Sequence, residues 1–85
     1  MAYQKEKKEL TFEIINYIGV VSEQPSGWKK ELNKVCWNGA DPKYDLRDWD
    51  PSHTKMGKGI TLTEEELRKL GEIIAKEIKQ LDEEI

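Results

Sequence analysis

The sequence WKKELNKVCWNGADPKYDLRDW, residues 28–49, predicts two antiparallel strands joined by a tight turn. The second strand, residues 43–49, alternates cleanly in polarity, as a strand with one covered face does. Tyr44 and Leu46 then point to one side, and the other side carries Lys43, Asp45, Arg47 and Trp49. The first strand alternates less regularly. Between the two, the Asn-Gly pair at 38–39 is a strong short-range signal for a hairpin turn.

The flanking segments complete an α+β fold. Residues 10–21 are rich in Phe, Ile, Tyr and Val, which favour strands, and residues 58–62 predict a short fourth strand. Residues 63–85 predict one long C-terminal helix, because apolar residues recur there every three or four positions. Thr63 and Glu66 fit a capping box at its start. The predicted order is β-β-β-β-α, a four-stranded antiparallel sheet covered on one face by the helix.

Length and composition limit the class of protein. With 85 residues the chain has room for a single domain. The predicted division is a tail at residues 1–9 and one domain at 10–85, with the sheet at 10–62 and the helix at 63–85. No apolar run approaches the roughly 20 residues of a membrane helix. We therefore expect a cytoplasmic protein with no membrane partner.

The sequence offers no recognisable catalytic or metal site. Cys36 and His53 are the only cysteine and histidine, too few for a disulfide or a structural zinc ion. Cys36 fits a buried strand position and His53 a polar loop. The spacing of the aspartates at 45, 48 and 50 matches no calcium-binding loop. Turn capping or pairing with neighbouring basic side chains explains these residues equally well. Gly57-Lys58-Gly59 lacks the rest of a Walker motif. We expect no enzyme activity, metal, cofactor or small-molecule substrate.

The charge is divided unevenly along the chain. Fourteen basic and 17 acidic residues give a formal net charge of -3. From Thr63 onward there are eight acidic and four basic residues, so the whole negative balance lies in the predicted helix. Because salt screens charges beyond about 8–10 Å, this acidity is compatible with a local phosphate-binding surface on the sheet.

The predicted helix favours a homodimer. At about 1.5 Å per residue it would extend about 30 Å, farther than one small sheet can cover. Its apolar stripe is most simply buried against a second copy. The predicted interface residues are Leu70, Ile74, Ile78, Leu81 and Ile85. A frayed C-terminal tail is the alternative.

Aromatic and basic residues share one predicted face of the third strand. If Leu46 faces the helix, then Trp49, Arg47 and Lys43 lie together on the open face. That combination suits a single-stranded nucleic acid, since aromatic rings stack on bases and cations follow the backbone. The alternative is that the tryptophans belong to the core.

The chain resembles a known family in three blocks. These are residues 27–38 (GWKKELNKVCWN), residues 42–49 (PKYDLRDW) and residues 56–62 (MGKGITL). They are similar to the bacterial YdbC proteins, relatives of the eukaryotic transcriptional positive cofactor 4. The resemblance implies a strongly curved four-stranded sheet, a helix, a homodimer and binding of single-stranded DNA on the sheets with little sequence preference. It also implies a bacterial cytoplasmic, nucleoid-associated, coactivator-like protein.

The resemblance also implies site residues. Trp37 and Trp49 would stack on bases, while Lys43, Arg47 and Lys58 would neutralise phosphates. The second strand contributes further candidate ligands: Lys29, Lys30, Asn33 and Lys34. Strict alternation conflicts with these candidate ligands, because it turns the side chains of Lys30 and Lys34 toward the helix. A bulge or a barely covered inner edge would resolve the conflict.

Two other functions stay open at this stage. The acidic helix or the sheet could dock on another protein, which would make the chain a protein-interaction module of the transcription machinery. Single-stranded RNA could be the main ligand in place of DNA, since no residue is diagnostic for a 2′-hydroxyl.

Overall fold

The computed structural model describes residues 10–84 and confirms the predicted order of elements. The strands are β1 (Phe12–Glu23), β2 (Lys29–Trp37), β3 (Lys43–Trp49) and β4 (Met56–Leu62), followed by the helix α1 (Glu64–Glu83). The strands form one antiparallel sheet in the order β1-β2-β3-β4. The predicted tail, residues 1–9, and the predicted interface residue Ile85 lie outside the described residues.

The β2–β3 hairpin closes through the predicted Asn-Gly turn. Asn38 and Gly39 have φ angles of 52° and 76°, the left-handed region that these two residue types tolerate best. The Asn38 side chain adds a tertiary contact, because its Oδ1 accepts a hydrogen bond of 2.9 Å from the backbone N–H of Thr11. The turn therefore also fixes the start of β1 against the end of the hairpin.

Strand pairing divides the side chains between two faces of the sheet. Leu46 is paired with Leu32 on one side and with Ile60 on the other. The helix starts on this face. The pKa of Glu64, in the first turn of the helix, is lowered mainly by Arg68 and also by Lys34, which lies on this face of β2. We call it the helix-side face. The opposite face, called the Trp37 face, carries Glu31, Asn33, Val35, Trp37, Lys43, Asp45, Arg47 and Trp49.

The edge strand β1 is bent by three bulges. Ile15, Ile18 and Val21 have no register partner in β2 and are the extra residues of the three bulges. A bulge bends a strand and increases its twist, so three of them curl β1 along the sheet edge. At the start of the strand Phe12, the register partner of Trp37, packs against both Trp37 and Trp49 on the Trp37 face, with ring centroids 5.8 and 5.1 Å apart.

Burial is distributed in an unusual way between the two faces. The buried residues of the described chain all lie on the Trp37 face: Glu31, Asn33, Val35, Asp45 and Trp49. The helix-side face carries the apolar side chains, yet Ile60 is 51% exposed. No residue of α1 is buried, and Ile74 and Ile78 are about half exposed. The apolar stripe of the helix is thus partly covered at Leu67 and Leu70 and largely uncovered from Ile74 onward within one chain.

The helix begins at the predicted capping box. The Thr63 hydroxyl accepts a 3.1 Å hydrogen bond from the N–H of Glu66, and the Glu66 carboxylate accepts one of 2.9 Å from the N–H of Thr63. Among the described strands, the helix contacts β3 and β4. Between residues 10 and 84, no helix has the length and apolar character needed to cross a membrane.

Candidate nucleic-acid interface

Arg47 is the centre of the Trp37 face. Its guanidinium forms a two-pronged ion pair with Asp45, in which Nε donates to Oδ1 at 2.7 Å and Nη2 donates to Oδ2 at 2.8 Å. Nη1 donates to the carbonyl oxygen of Gly57 at 3.3 Å. The planar cation lies over the indole of Trp37, with Cζ 4.8 Å from the ring centroid. A cation over an aromatic face is attracted by the ring quadrupole.

A glycine makes this position of Arg47 possible. Gly59 on β4 is the register partner of Arg47, and a Cβ atom there would collide with Arg47 Cβ and with the carbonyl oxygen of Leu46. Just before it, β4 has one extra residue in the Gly57–Lys58 segment, a bulge between the pairs made by Arg47 and Trp49. The close approach of β3 and β4 at this point therefore requires a glycine at position 59.

The geometry limits what Arg47 has free for a phosphate, the role expected of it from the sequence. Asp45 is completely buried and already compensates the charge of Arg47, whose side chain is only 14% exposed. Most of the guanidinium N–H donors are occupied. What Arg47 offers to a ligand is a rigid, flat surface next to Trp37, and not a free positive charge.

The expectation that Trp49 is an exposed stacking ring is wrong. Alternation does place Trp49 on the same face as Arg47, but its ring is fully buried. Phe12 from the curled β1 covers it, and His53 from the β3–β4 loop lies 5.6 Å from its centroid. The ring therefore has no free side for a base, and Trp49 is a core residue of this face.

Asn33 is also unavailable to a ligand. Its side chain is buried, and Nδ2 donates a 2.9 Å hydrogen bond to Glu31 Oε1. Glu31, 5% exposed, in turn lies 3.0 Å from His53 Nε2 through each carboxylate oxygen. The contact of Asn33 with a base or sugar that was expected from the sequence is thus replaced by an internal polar network linking β2 to the β3–β4 loop.

That loop is held in place by Asp50. Its carboxylate accepts hydrogen bonds of 2.9 Å from the backbone N–H groups of Lys55 and Thr54 and from the hydroxyl of Ser52. These bonds, that from Lys55 first, lower the pKa of Asp50 to about 2. Turn capping or pairing with basic residues was expected for the three aspartates as a group. Asp50 caps this loop, and Asp45 pairs with Arg47.

An open cavity of ≈ 370 Å³ adjoins the Trp37–Arg47 pair. Its walls include Trp37, Asp41, Lys43, Arg47 and Thr61. Trp37 is half-buried, with its ring nitrogen inside the protein. The size lies within the range of about 300–1,000 Å³ that is usual for pockets that hold small ligands. An aromatic ring, a flat cation and the exposed Lys43 are thus brought together at one opening.

A second aromatic ring on this face was missed by sequence reasoning. Tyr17 is paired with Asn33, which places it on the Trp37 face, and it is 61% exposed. It makes an edge contact with His53, 5.4 Å between centroids, and lines a smaller cavity of ≈ 250 Å³. The bulges of β1 break strict alternation, so the direction of this ring could not be predicted from the residue pattern.

The predicted lysines divide between the two faces. Lys43 is exposed on the Trp37 face, Lys29 is partly exposed there, and Lys58 is exposed at the β4 bulge. Lys30 and Lys34 lie on the helix-side face, so the structure does not bring them together with Trp37. Lys30 pairs with Asp48 at 3.2 Å, and the Lys34 ammonium lies 5.3 Å from the ring centroid of Tyr44.

The conflict over the second strand is resolved without a bulge in the β2–β3 pairing. That pairing is continuous from Lys29 to Val35, and the extra residues are on β1. The inner edge is instead only partly covered, as one of the two expectations had it, and Lys30 is 42% exposed there.

Within residues 10–84 no cluster of three or more His, Cys, Asp or Glu residues could hold a metal ion.

Fold and site together define a class: a small curved sheet with one helix and an aromatic–cationic surface on the sheet. Comparison with known proteins identifies the family. Residues 24–73 match the family described as Transcriptional Coactivator p15 (PC4). An uncharacterized protein of Treponema pallidum (strain Nichols) is 41% identical over 63 residues, 74% of each chain. The chain belongs to the transcriptional coactivator p15 (PC4) family.

Proposed function

We propose that this chain is a non-enzymatic single-stranded DNA-binding protein of the bacterial cytoplasm, of the YdbC-like subgroup, which binds DNA on the Trp37 face. The observation that carries the proposal is the stack of Arg47 on Trp37 beside an open cavity edged by the exposed Lys43. Stacking surfaces and cations in one groove are the features by which proteins bind single strands without reading their sequence. Family membership supports the same class of ligand.

The residues of the Trp37 face take different roles in this proposal. Trp37 and Tyr17 supply rings for base stacking at the two cavities. Lys43, Lys29 and Lys58 neutralise phosphates. Arg47 is a fixed flat surface, and its ion pair with Asp45 holds it in register without spending binding energy on ordering it. Trp49 does not contact DNA in this proposal and is a buried core residue beneath this surface.

The second part of the proposal is a homodimer formed through the helix-side face. Ile60, Ile74, Ile78 and Leu81 are each about half exposed in one chain, and Leu70 is partly covered. So many exposed large apolar side chains on one helix and the sheet beside it favour an interface. The acidic residues of the helix carry the negative balance of the chain, so repulsion keeps a DNA strand away from the helix and on the sheet.

A salt titration of oligo-dT binding tests this function. For single strands, log K falls with log salt by roughly 0.7 for each phosphate contact. Lys43→Gln is expected to weaken binding at low salt and reduce this slope by roughly 0.7. Lys79→Gln removes the same charge from the helix and is the matched control, with an unchanged slope. Equal slopes for the two variants would contradict the phosphate role of Lys43.

Two further arms of the experiment distinguish the alternatives. The proposal expects oligo-dT to change the tryptophan fluorescence at low salt, because Trp37 stacks on a base. No change and no binding at low salt would overturn the function outright. Competition between DNA and RNA strands of equal sequence is expected to favour DNA; displacement by RNA at lower concentration would reassign the ligand.

A further inference from the structure

The cavity beside Trp37 contains one charge of the wrong sign for a phosphate. Asp41 lines it together with Lys43, Thr61 and the Trp37–Arg47 pair. Asp41 is exposed and takes part in none of the ion pairs found within residues 10–84. An ionised carboxylate only accepts hydrogen bonds. It repels the DNA backbone, so a nucleotide bound here must turn another group toward it.

The other polar groups of the cavity fix the orientation of such a nucleotide. Lys43 attracts the phosphate, and the flat Trp37–Arg47 pair takes the base by stacking. Arg47 keeps its ion pair with Asp45, so it does not compensate Asp41 as well. The base edge is then the part of the nucleotide that meets the carboxylate of Asp41, and N–H groups on that edge decide the fit.

The four bases differ sharply in what they offer to a carboxylate. The pairing edge of guanine carries two adjacent N–H donors, N1–H and the N2 amino group, which match the two oxygens of a carboxylate. Cytosine and adenine each offer a single amino group there. Thymine offers one N3–H between two carbonyl oxygens, which a carboxylate repels. Unstacked bases of single strands are commonly read through this edge.

We propose that Asp41 makes this cavity a guanine-preferring subsite within a binding face that is otherwise indifferent to sequence. The inference rests on the proposed single-strand binding and names the specificity-determining residue of the same site. Asp41 selects by an acceptor pair matched to guanine and by repulsion of the thymine carbonyl groups. One guanine in a strand then sets the register in which the strand lies on the sheet.

The test compares short oligo-dT strands that carry one central dG, dI, dC, dA or dT at a single salt concentration. Inosine lacks the N2 amino group and tests the second hydrogen bond alone. A two-pronged base contact discriminates by about fivefold or more, so the dG strand is expected to bind about fivefold more tightly than the dT strand. The dI strand is expected to lose most of this gain.

Asp41→Ala is the decisive variant, with Asp82→Ala on the helix as the control for charge. Asp41→Ala is expected to bind all five strands with similar affinity, and oligo-dT at least as tightly as the unchanged protein, since a repelling charge is gone. Asp82→Ala is expected to keep the preference for dG. A dG preference that survives in Asp41→Ala, or equal affinity of the unchanged protein for dG and dT strands, overturns the inference.

The two proposals fail in different ways. If the protein binds every strand equally and Lys43→Gln still reduces the salt slope, single-strand binding stands and base selection by Asp41 falls. If no strand binds at low salt, both fall together. Circular dichroism of each variant confirms that the fold is intact before affinities are compared.

Discussion

The two faces of the sheet differ in a way that reverses the usual order of a small domain. The Trp37 face contains the buried residues of the described chain, three of which are polar or charged: Glu31, Asn33 and Asp45. The helix-side face carries Leu32, Leu46 and Ile60 next to an apolar helix stripe that stays half exposed. In a monomeric domain, burial of apolar surface is the main driving force for folding, so the more apolar face is expected to be the covered one.

This contrast indicates a different task for each face. The bulges of β1 curve the sheet toward the Trp37 face. Internal ion pairs and hydrogen bonds hold the polar groups of this face in place. Polar groups held rigidly before a ligand arrives reduce the ordering cost of binding. The helix-side face has no comparable closure within one chain, and a second copy supplies it in our proposal.

The largest effect is expected at the helix-side face. Ile78→Asp puts a charge in the middle of the proposed interface, and a twofold axis doubles the loss. Burying an Ile side chain contributes about 1.5–3 kcal/mol, so roughly 3–6 kcal/mol of dimer stability is at stake. Light scattering is expected to show monomers. Lys76→Asp, on the opposite side of the helix, is the control and stays dimeric. An Ile78→Asp protein that is still dimeric contradicts the interface.

The next effect concerns the buried ion pair of the Trp37 face. Asp45→Asn leaves the Arg47 cation without its counter-charge, and breaking a buried pair in this way costs about 3–5 kcal/mol in free energy of unfolding. Glu64→Gln breaks the exposed pair with Arg68, for which about 0–1 kcal/mol is expected. Urea unfolding measures both. A similar small loss in the two variants would show that the Trp37 face is less tightly closed than described.

Ring removal on the Trp37 face is expected to weaken DNA binding. Stacking contributes about 1–3 kcal/mol per base, so Trp37→Ala and Tyr17→Ala should each raise the Kd for oligo-dT by roughly 5- to 150-fold. Tyr44→Ala removes a ring of the helix-side face and serves as the control, with little change expected. Fluorescence anisotropy of a labelled strand gives the three values. A larger loss for Tyr44→Ala than for the other two would move the binding surface to the opposite face.

The smallest effect concerns acid stability through Asp50. Its pKa of about 2 lies below the ordinary value of 3.8, so the ionised carboxylate stabilises the fold above pH 3.8. This contribution is lost as the pH falls through about 2. Asp50→Asn is therefore expected to lower the free energy of unfolding near neutral pH, and its deficit should shrink between about pH 4 and 2. A deficit that stays constant over this range would show that the charge of Asp50 is not what holds the loop.

Much of the fold could be predicted from the sequence, because its signals are local. The capping box at Thr63, the Asn-Gly turn and the strict alternation of residues 43–49 each involve residues within a few positions of one another. The curvature of the sheet at its β1 edge could not be predicted in this way. Three bulges in β1 depend on how this strand pairs with β2, and no single residue of residues 12–23 marks them.

The candidate site was predicted in part for the same reason. Alternation correctly placed Lys43, Arg47 and Trp49 on one face, but which side of a curved sheet is covered depends on long-range packing. Phe12 and His53 bury Trp49 from distant positions. Tyr17 went unnoticed because bulges shift its direction. For Asp45 the sequence left turn capping and pairing with a basic residue open, and only the structure shows its buried ion pair with Arg47.

The account depends most on which face of the sheet the DNA occupies. Ultraviolet cross-linking of the intact protein to oligo-dT of about 20 nucleotides, followed by mass spectrometry of the peptides, maps that contact directly. We predict cross-links at Trp37 and Tyr17 and in the residues beside Lys43, and none in the helix. Cross-links concentrated on Tyr44 or within residues 64–83 would contradict the division of tasks between the two faces.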